Sequence, residues 1–313
     1  MGLSDVVYTF GRYCQDRFGE RVHKLAIDAG FTCPNRDGTK GRGGCTFCNN
    51  ASFSPNAHRP DPVAEQMADG IGVIRERVGA SRFLAYFQSY TNTYGDVSHL
   101  RSLYESALQQ PGVVGLAVGT RPDCAPPEVL DLLAGYRDQG WEIWLELGLQ
   151  TVFDETQRRV NRGHGFAEYQ EALRGARDRG LSVCTHLILG LPGEEPDHYR
   201  ETLDRVLAEG VDGLKLHPLH IVRGTRLAHA WRRGEYRPLE LEEYVTAAAD
   251  LIERTPGEVV YHRVTGTASP DILLAPEWCG RKWAALNAIE KELRARGGQQ
   301  GSALRQPAEV CHE

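Results

Sequence analysis

Residues 33–48 read Cys33-Pro-Asn-Arg-Asp-Gly-Thr-Lys-Gly-Arg-Gly-Gly-Cys45-Thr-Phe-Cys48. Eleven residues separate the first two cysteines and two separate the second pair. Pro34 and the glycines at 38, 41, 43 and 44 exclude a regular helix or an interior strand. The stretch is a loop that lets three sulfurs converge. Thiolates ligate zinc and iron–sulfur clusters, and a glycine-rich loop lets backbone amides approach cluster sulfides. A four-iron cluster held by three cysteines has one iron without a protein ligand, as a catalytic zinc keeps its fourth position open. Phe47 supplies an apolar wall next to the metal. The same residues also admit a structural zinc site, with His23 or His58 as fourth ligand, or a disulfide.

Outward from the loop, apolar segments alternate with helical periods. Strands are expected at 23–30, 82–88, 113–119, 142–149, 182–190 and 213–219. Helices are expected at 61–79, 97–109, 126–139, 166–179 and 196–209, after a helical lead-in over residues 1–22. Such alternation implies parallel strands with right-handed crossovers, as an open doubly wound sheet or an incomplete barrel. No Gly-x-Gly-x-x-Gly follows the first strand, so a dinucleotide-binding fold has no support. Beyond residue 228 the pattern changes. A helix at 238–254, a seventh strand at 258–264 and a helix at 277–295 form a C-terminal extension, residues 229–296, to a core of residues 23–228. The polar stretch 297–313 is expected to be a flexible tail.

The chain has 313 residues and a formal net charge of −6. It has no apolar run long enough to span a membrane and no secretory signal pattern, so a cytoplasmic location without a membrane partner is expected. Eight cysteines in such a chain argue for metal or catalysis before disulfides. Cys14, Cys124, Cys184, Cys279 and Cys311 read as ordinary thiols. The mild acidity argues against coating nucleic acid. The arginines at 223, 226, 232, 233 and 237 still offer a local phosphate-binding face, or simply a solvated one.

In a parallel α/β barrel, chemistry collects at the C-terminal ends of the strands. The polar candidates fall there: the cysteine loop, Gln88 to Tyr94, Gly119 to Asp123, Glu146 to Gln150, Gly190 to Glu194, and Lys215, His217, His220 and Arg223. Glu146 within an apolar strand is costly to bury unless paired or liganded. Arg121 and Asp123 fit a mutual pair, Gly190 to Gly193 a plain turn, and the two histidines hydrogen-bonded core positions.

Taken together, KLAIDAGFTCPNRDGTKGRGGCTFC, YFQSYTNTY, VGTRPD, LELGLQT, NRGH, HLILGLPGE, LKLHPLHIVRGT, HRVTG and APEW resemble the radical S-adenosylmethionine (radical SAM) superfamily. The resemblance runs from about residue 8 to about residue 295. It lies in the Elp3-like and MiaB-like branch and, within it, the YhcC/YtqA-type family. It implies an α/β fold, an incomplete (β/α)6 radical SAM barrel with a C-terminal α/β extension. Cys33, Cys45 and Cys48 would hold a [4Fe–4S] cluster. S-adenosylmethionine would bind at Gln88, Ser89, Asn92, Glu146, Gln150, Gly190 and Gly193. The stretch Gln88 to Asn92 replaces the superfamily's usual Gly-Gly-Glu. The resemblance further implies a tRNA base as substrate, through wobble-uridine side-chain processing, and an electron donor such as flavodoxin or ferredoxin. Lys215, His217, His220 and Arg223 would face that substrate. No acetyltransferase-sized segment follows residue 296, so a full Elp3-type activity is not expected. A small-metabolite substrate and a zinc-stabilised binding protein are the rival readings.

Overall fold

The computed structural model describes residues 2–49 and 61–304. His58 and Cys311 lie outside the described residues. The described strands and helices follow in chain order: α1 (Phe10–Phe18), β1 (Val22–Ile27), α2 (Val63–Val78), β2 (Arg82–Phe87), α3 (Val97–Leu108), β3 (Val113–Thr120), α4 (Pro127–Asp138), β4 (Glu142–Gln150), α5 (Asp154–Arg159), α6 (Phe166–Arg177), β5 (Ser182–Leu189), α7 (Pro196–Ala208), β6 (Gly213–Pro218), β7 (Ile221–Val222), α8 (Arg226–Arg232), α9 (Leu241–Arg254), β8 (Val260–Arg263), β9 (Leu273–Ala275) and α10 (Lys282–Ala295). One seven-stranded sheet runs β1-β2-β3-β4-β5-β6-β8, and every pairing in it is parallel. The sheet is a curled half-barrel. The seventh strand, expected in the extension, joins the same sheet beside β6. β7 and β9 make a separate antiparallel pair.

Each strand shows one face to the helices and one to the inside of the curl. The outer face carries Leu25, Phe83, Ala85, Leu116, Val118, Ile143, Leu145, Val183 and Leu214, packed with Leu100, Tyr104, Leu133, Tyr169 and Leu203 of the helices. These side chains leave water almost completely, and each of the valines, leucines, isoleucines and phenylalanines contributes on the order of 1.5–3 kcal/mol. The inner face is different. Its lower part is apolar: Val22, Leu84, Ala117, Trp144, Cys184 and Val260 pack against Phe10 and Cys14 of α1, which plugs that end. Thr9 caps α1 by accepting from the Arg12 amide. One strand contact is tight enough to demand glycine. A Cβ on Gly115 would stand 1.8 Å from the Glu142 carbonyl oxygen of the neighbouring strand.

Two expectations are corrected here. The helix expected at 277–295 is a 3-10 turn, Glu277–Gly280, followed by α10. The stretch from 297 is not loose as far as residue 304. Gln300 is buried, accepts from the Tyr8 amide at 2.8 Å and donates to the carbonyls of Pro256 and Val259 at 2.7 and 2.8 Å. Residues 305–313 lie outside the described residues. A short helix that sequence reading did not foresee, α5, follows β4.

Candidate functional site

The mouth of the curl holds a cavity of about 210 Å³. Cys33, Cys45, Phe47 and Cys48 line one part of it, with Arg36 and Gly44. All seven described cysteines are free thiols, so the disulfide alternative is set aside. His23 does not line the cavity. Among the described residues no three His, Cys, Asp or Glu side chains close around a single metal ion. A four-iron cluster is a larger object, and it asks for three thiols on one wall.

The cysteine loop is fixed from outside. Asn161, in the left-handed region at φ 54°, donates to the Gly44 carbonyl at 2.8 Å, and Arg226 of α8 donates to the same oxygen at 2.8 Å. Asn35 donates to the Asn161 carbonyl at 2.5 Å. The Thr46 amide donates to the Val160 carbonyl, and the Leu227 amide donates to Thr46. Gly44 has φ 73°, and a Cβ there would sit 2.8 Å from Arg36 Nε. Phe47 packs on an apolar cluster of Val160, Leu191, Leu219, Ile221 and Leu227. Two guanidiniums stand at the sulfurs. Arg162 Nη1 lies 3.4 Å from Cys45 Sγ, and Arg36 Nη2 donates to the Cys48 carbonyl at 2.5 Å. Burial pushes the Cys48 thiol up and Cys45 adds to the rise, while Arg36 and Arg162 pull it down. A cluster on three thiolates carries negative charge, and these two arginines are placed to offset it. The thiols, the glycine loop and the paired cations fit the group. Arg36 and Arg162 went unseen in the sequence, although Arg162 belongs to the Asn-Arg-Gly-His segment of the resemblance.

Below the mouth the inner face turns polar. Glu146 of β4 is fully buried. Lys24 donates to Oε1 at 2.9 Å, and His262 Nδ1 lies 3.4 Å from the same oxygen. His186 Nε2 lies 3.0 Å from Oε2, and Lys215 donates to that oxygen. Lys215 also donates to Tyr86 Oη at 2.9 Å. Burial opposes the Glu146 charge, yet Lys215, Lys24 and the two histidines hold its carboxyl well below the usual carboxylate range. Burial lowers Lys215 to about 8, against the pull of Glu146. Burial likewise lowers His186 to about 4.

The remaining expected residues separate. Gln88, Glu146, Gln150, His217 and His220 line the cavity. Gln150 sits in the left-handed region at φ 86°, a costly backbone for a non-glycine residue and a common mark of a functional position. Ser89 and Asn92 do not line it. The Asn92 amide donates to the carbonyls of Phe87 and Gly119, which ties β2 to β3. Thr91 does line it, with a buried hydroxyl that has no partner. Gly190 and Gly193 line another cavity, of about 780 Å³, between α7 and α9. Lys215 is held behind Glu146, and Arg223 lies outside the cavity with its carbonyl accepting from Asn49. Arg121 and Asp123 do pair, Nε and Nη2 each donating to one carboxylate oxygen at 2.9 Å.

Over residues 33–206 the chain matches the radical SAM superfamily, and over residues 211–295 the radical SAM C-terminal domain. It is 52% identical over 307 residues to YhcC of Escherichia coli (strain K12), covering 98% of each chain. It is 34% identical over 175 residues to the tRNA uridine(34) acetyltransferase of Dehalococcoides mccartyi (strain CBDB1), covering 54% of this chain and 36% of that one. The solved structure of archaeal Methanocaldococcus infernus Elp3 superposes with a TM-score of 0.67 at 18% identity. That match covers 89% of this chain and 64% of the other, and at this identity it shows the fold alone. Among the described residues no helix is long and apolar enough to cross a membrane. The chain belongs to the radical SAM superfamily, whose chemistry rests on a [4Fe–4S] cluster and S-adenosylmethionine, and within it to the family of YhcC.

Proposed function

We propose that this chain is a radical SAM enzyme holding a [4Fe–4S] cluster on Cys33, Cys45 and Cys48, and that it modifies a nucleoside of tRNA. The observation that carries the chemistry is three free thiols on one wall of a cavity at the C-terminal edge of a curled parallel sheet. A cluster held there with S-adenosylmethionine would supply the one-electron chemistry of the superfamily, abstraction of a hydrogen atom from the substrate. The protein's part is orientation and exclusion of water. Gln88, Thr91 and Gln150 offer polar groups to the cofactor. Thr91 is the clearest of these, because its buried hydroxyl has no partner of its own. Phe47 and the apolar cluster behind it keep water from the sulfurs. Glu146 has both oxygens engaged by protein and lines the cavity, so it shapes the floor on which the cofactor would rest. A low-potential donor such as flavodoxin or ferredoxin supplies the electron.

The support for tRNA is the likeness, over half of this chain, to a tRNA uridine(34) acetyltransferase. The arginines beyond β6 add little. Arg233 pairs with Glu235, Arg237 pairs with Glu243, and Arg226 is spent on the cysteine loop. The test has two arms. Mass spectrometry of tRNA nucleosides from cells with and without the protein should show one modified nucleoside whose level changes. Added tRNA should raise 5′-deoxyadenosine formation by the reconstituted, reduced enzyme. Unchanged nucleosides, together with stimulation by a small-molecule fraction and not by tRNA, would replace tRNA with a small metabolite.

A further inference from the structure

The cavity is unevenly charged. Its lining holds four guanidiniums, Arg36, Arg121, Arg162 and Arg263, and a single carboxylate, Glu146. Three of the guanidiniums have work already. Arg36 and Arg162 serve the cysteine loop, and Asp123 neutralises Arg121. Arg263, at the end of β8, pairs with no carboxylate among the described residues. Glu146 is in turn shared between Lys24 and Lys215, so the floor carries more positive than negative charge.

Beside Arg263 the wall is made of imidazoles. His186 of β5, His217 of β6 and His220 beyond it line the same side of the cavity. The His186 and His217 rings stand 5.6 Å apart. His217 Nε2 and His220 Nδ1 are buried and have no hydrogen-bond partner. A buried polar atom left unpaired costs about 1–3 kcal/mol, which a ligand relieves when it supplies the missing partner. Burial first, then the nearby Arg263, holds His217 well below the usual imidazole range, so its ring is neutral. A neutral or cationic substrate would leave the positive excess of the floor uncompensated.

We propose that Arg263, His217 and His220 form a substrate subsite on the β6–β8 wall and that it binds an oxyanion carried by the substrate. The subsite rests on the functional reading above. It replaces Lys215 and Arg223 as the groups that meet the substrate, since the first is spent on Glu146 and the second lies outside the cavity. Arg263 supplies the charge and a planar pair of donors. The imidazoles, as neutral N–H donors, complete the cradle.

The test uses cluster-loaded protein with S-adenosylmethionine, titrated at constant ionic strength with inorganic phosphate, acetate or chloride. The readout is the unfolding midpoint, which a bound ligand raises saturably. Phosphate or acetate should raise it in the parent, and chloride should not. Whichever acts at lower concentration tells a phosphoryl group from a carboxylate. Arg263→Gln and His217→Asn should each weaken the apparent affinity at least tenfold, while Arg263→Lys keeps part of it. Arg263 is exposed enough that its replacement does not threaten folding. General stabilisation by excluded anions is the same in parent and variants and cancels. Equal responses in the parent and both neutral variants would overturn the subsite. Failure of the parent to cleave S-adenosylmethionine in the same preparation would instead strike the radical reading, and the anion site stands or falls on the titration alone.

Discussion

Replacing Glu146 with Gln keeps the shape of the side chain and removes the charge around which the floor of the cavity is assembled. Lys24 and Lys215 then lose their counter-charge, and the neutral rings of His186 and His262 face an amide in place of a carboxylate. Two lysines are left facing each other across an amide. Breaking a buried ion pair from one side costs about 3–5 kcal/mol, because the other charge remains buried. At roughly 2 °C per kcal/mol for a chain of this size, the unfolding midpoint should fall by about 6–10 °C. The pH dependence follows from the signs. Glu146 titrates below its ordinary value in the folded protein, so its stabilisation is present above that value and lost as pH falls through the depressed one. Lys215 is lowered to about 8 in the parent, and Glu146 is the group that holds it that high. In the variant it falls further, so the parent binds more protons in the window just below pH 8. The gap between parent and variant should therefore be wider at pH 6 than at pH 9. Thermal unfolding by circular dichroism at both pH values measures it. A midpoint within 2 °C of the parent at pH 6 would refute the argument. If that variant also lost S-adenosylmethionine cleavage, Glu146 would belong to the cofactor.

Other outcomes can be checked independently. Anaerobic reconstitution of the parent should give about four irons and four sulfides per chain, and Cys33→Ala, Cys45→Ala or Cys48→Ala should each abolish this, whereas Cys184→Ala, in the apolar inner layer, should not. Gly115→Ala drives a Cβ into the backbone of β4 and should cost about 3 kcal/mol, the upper end of overpacking, read as a lower urea midpoint. Gly72→Ala, in α2 with open space at the Cβ position, should instead stabilise by about 0.5–1 kcal/mol.

The order of strands was legible because each is a short apolar run bounded by turns, and because parallel alternation leaves few topologies. The cysteine loop was legible because its spacing and glycines have few other uses. Depth along a strand was not. Lys215 and His217 lie two residues apart on the same face of β6, yet one is enclosed behind Glu146 and the other lines the cavity. Gly190 and Gly193 sit at a strand end like the other candidates. The chain turns outward there, so Gly190 faces Leu239 and Tyr236 instead of the mouth. Asn92 read as a ligand because a polar residue after an apolar strand has two uses, and here the backbone of two strands claims it. Arg263 and His262 were invisible as site residues because β8 reaches the sheet only after the late helix α9.

The seam between the lead-in and β8 has a bearing on how the molecule comes to be made. The Tyr261 amide donates to the Tyr8 carbonyl, Thr9 bridges to Tyr261, and Gln300 closes on Tyr8 across 292 positions. Contacts so distant along the chain are slow to find, because the loop must close before any of them forms. On the ribosome β1 through β6 are made first, so Glu146 and both lysines exist while His262 is still unsynthesised. Until that strand arrives, the ionic floor stands open to water along one side. A nascent chain stalled before residue 260 would hold all three cysteines and still lack a sealed chamber for them.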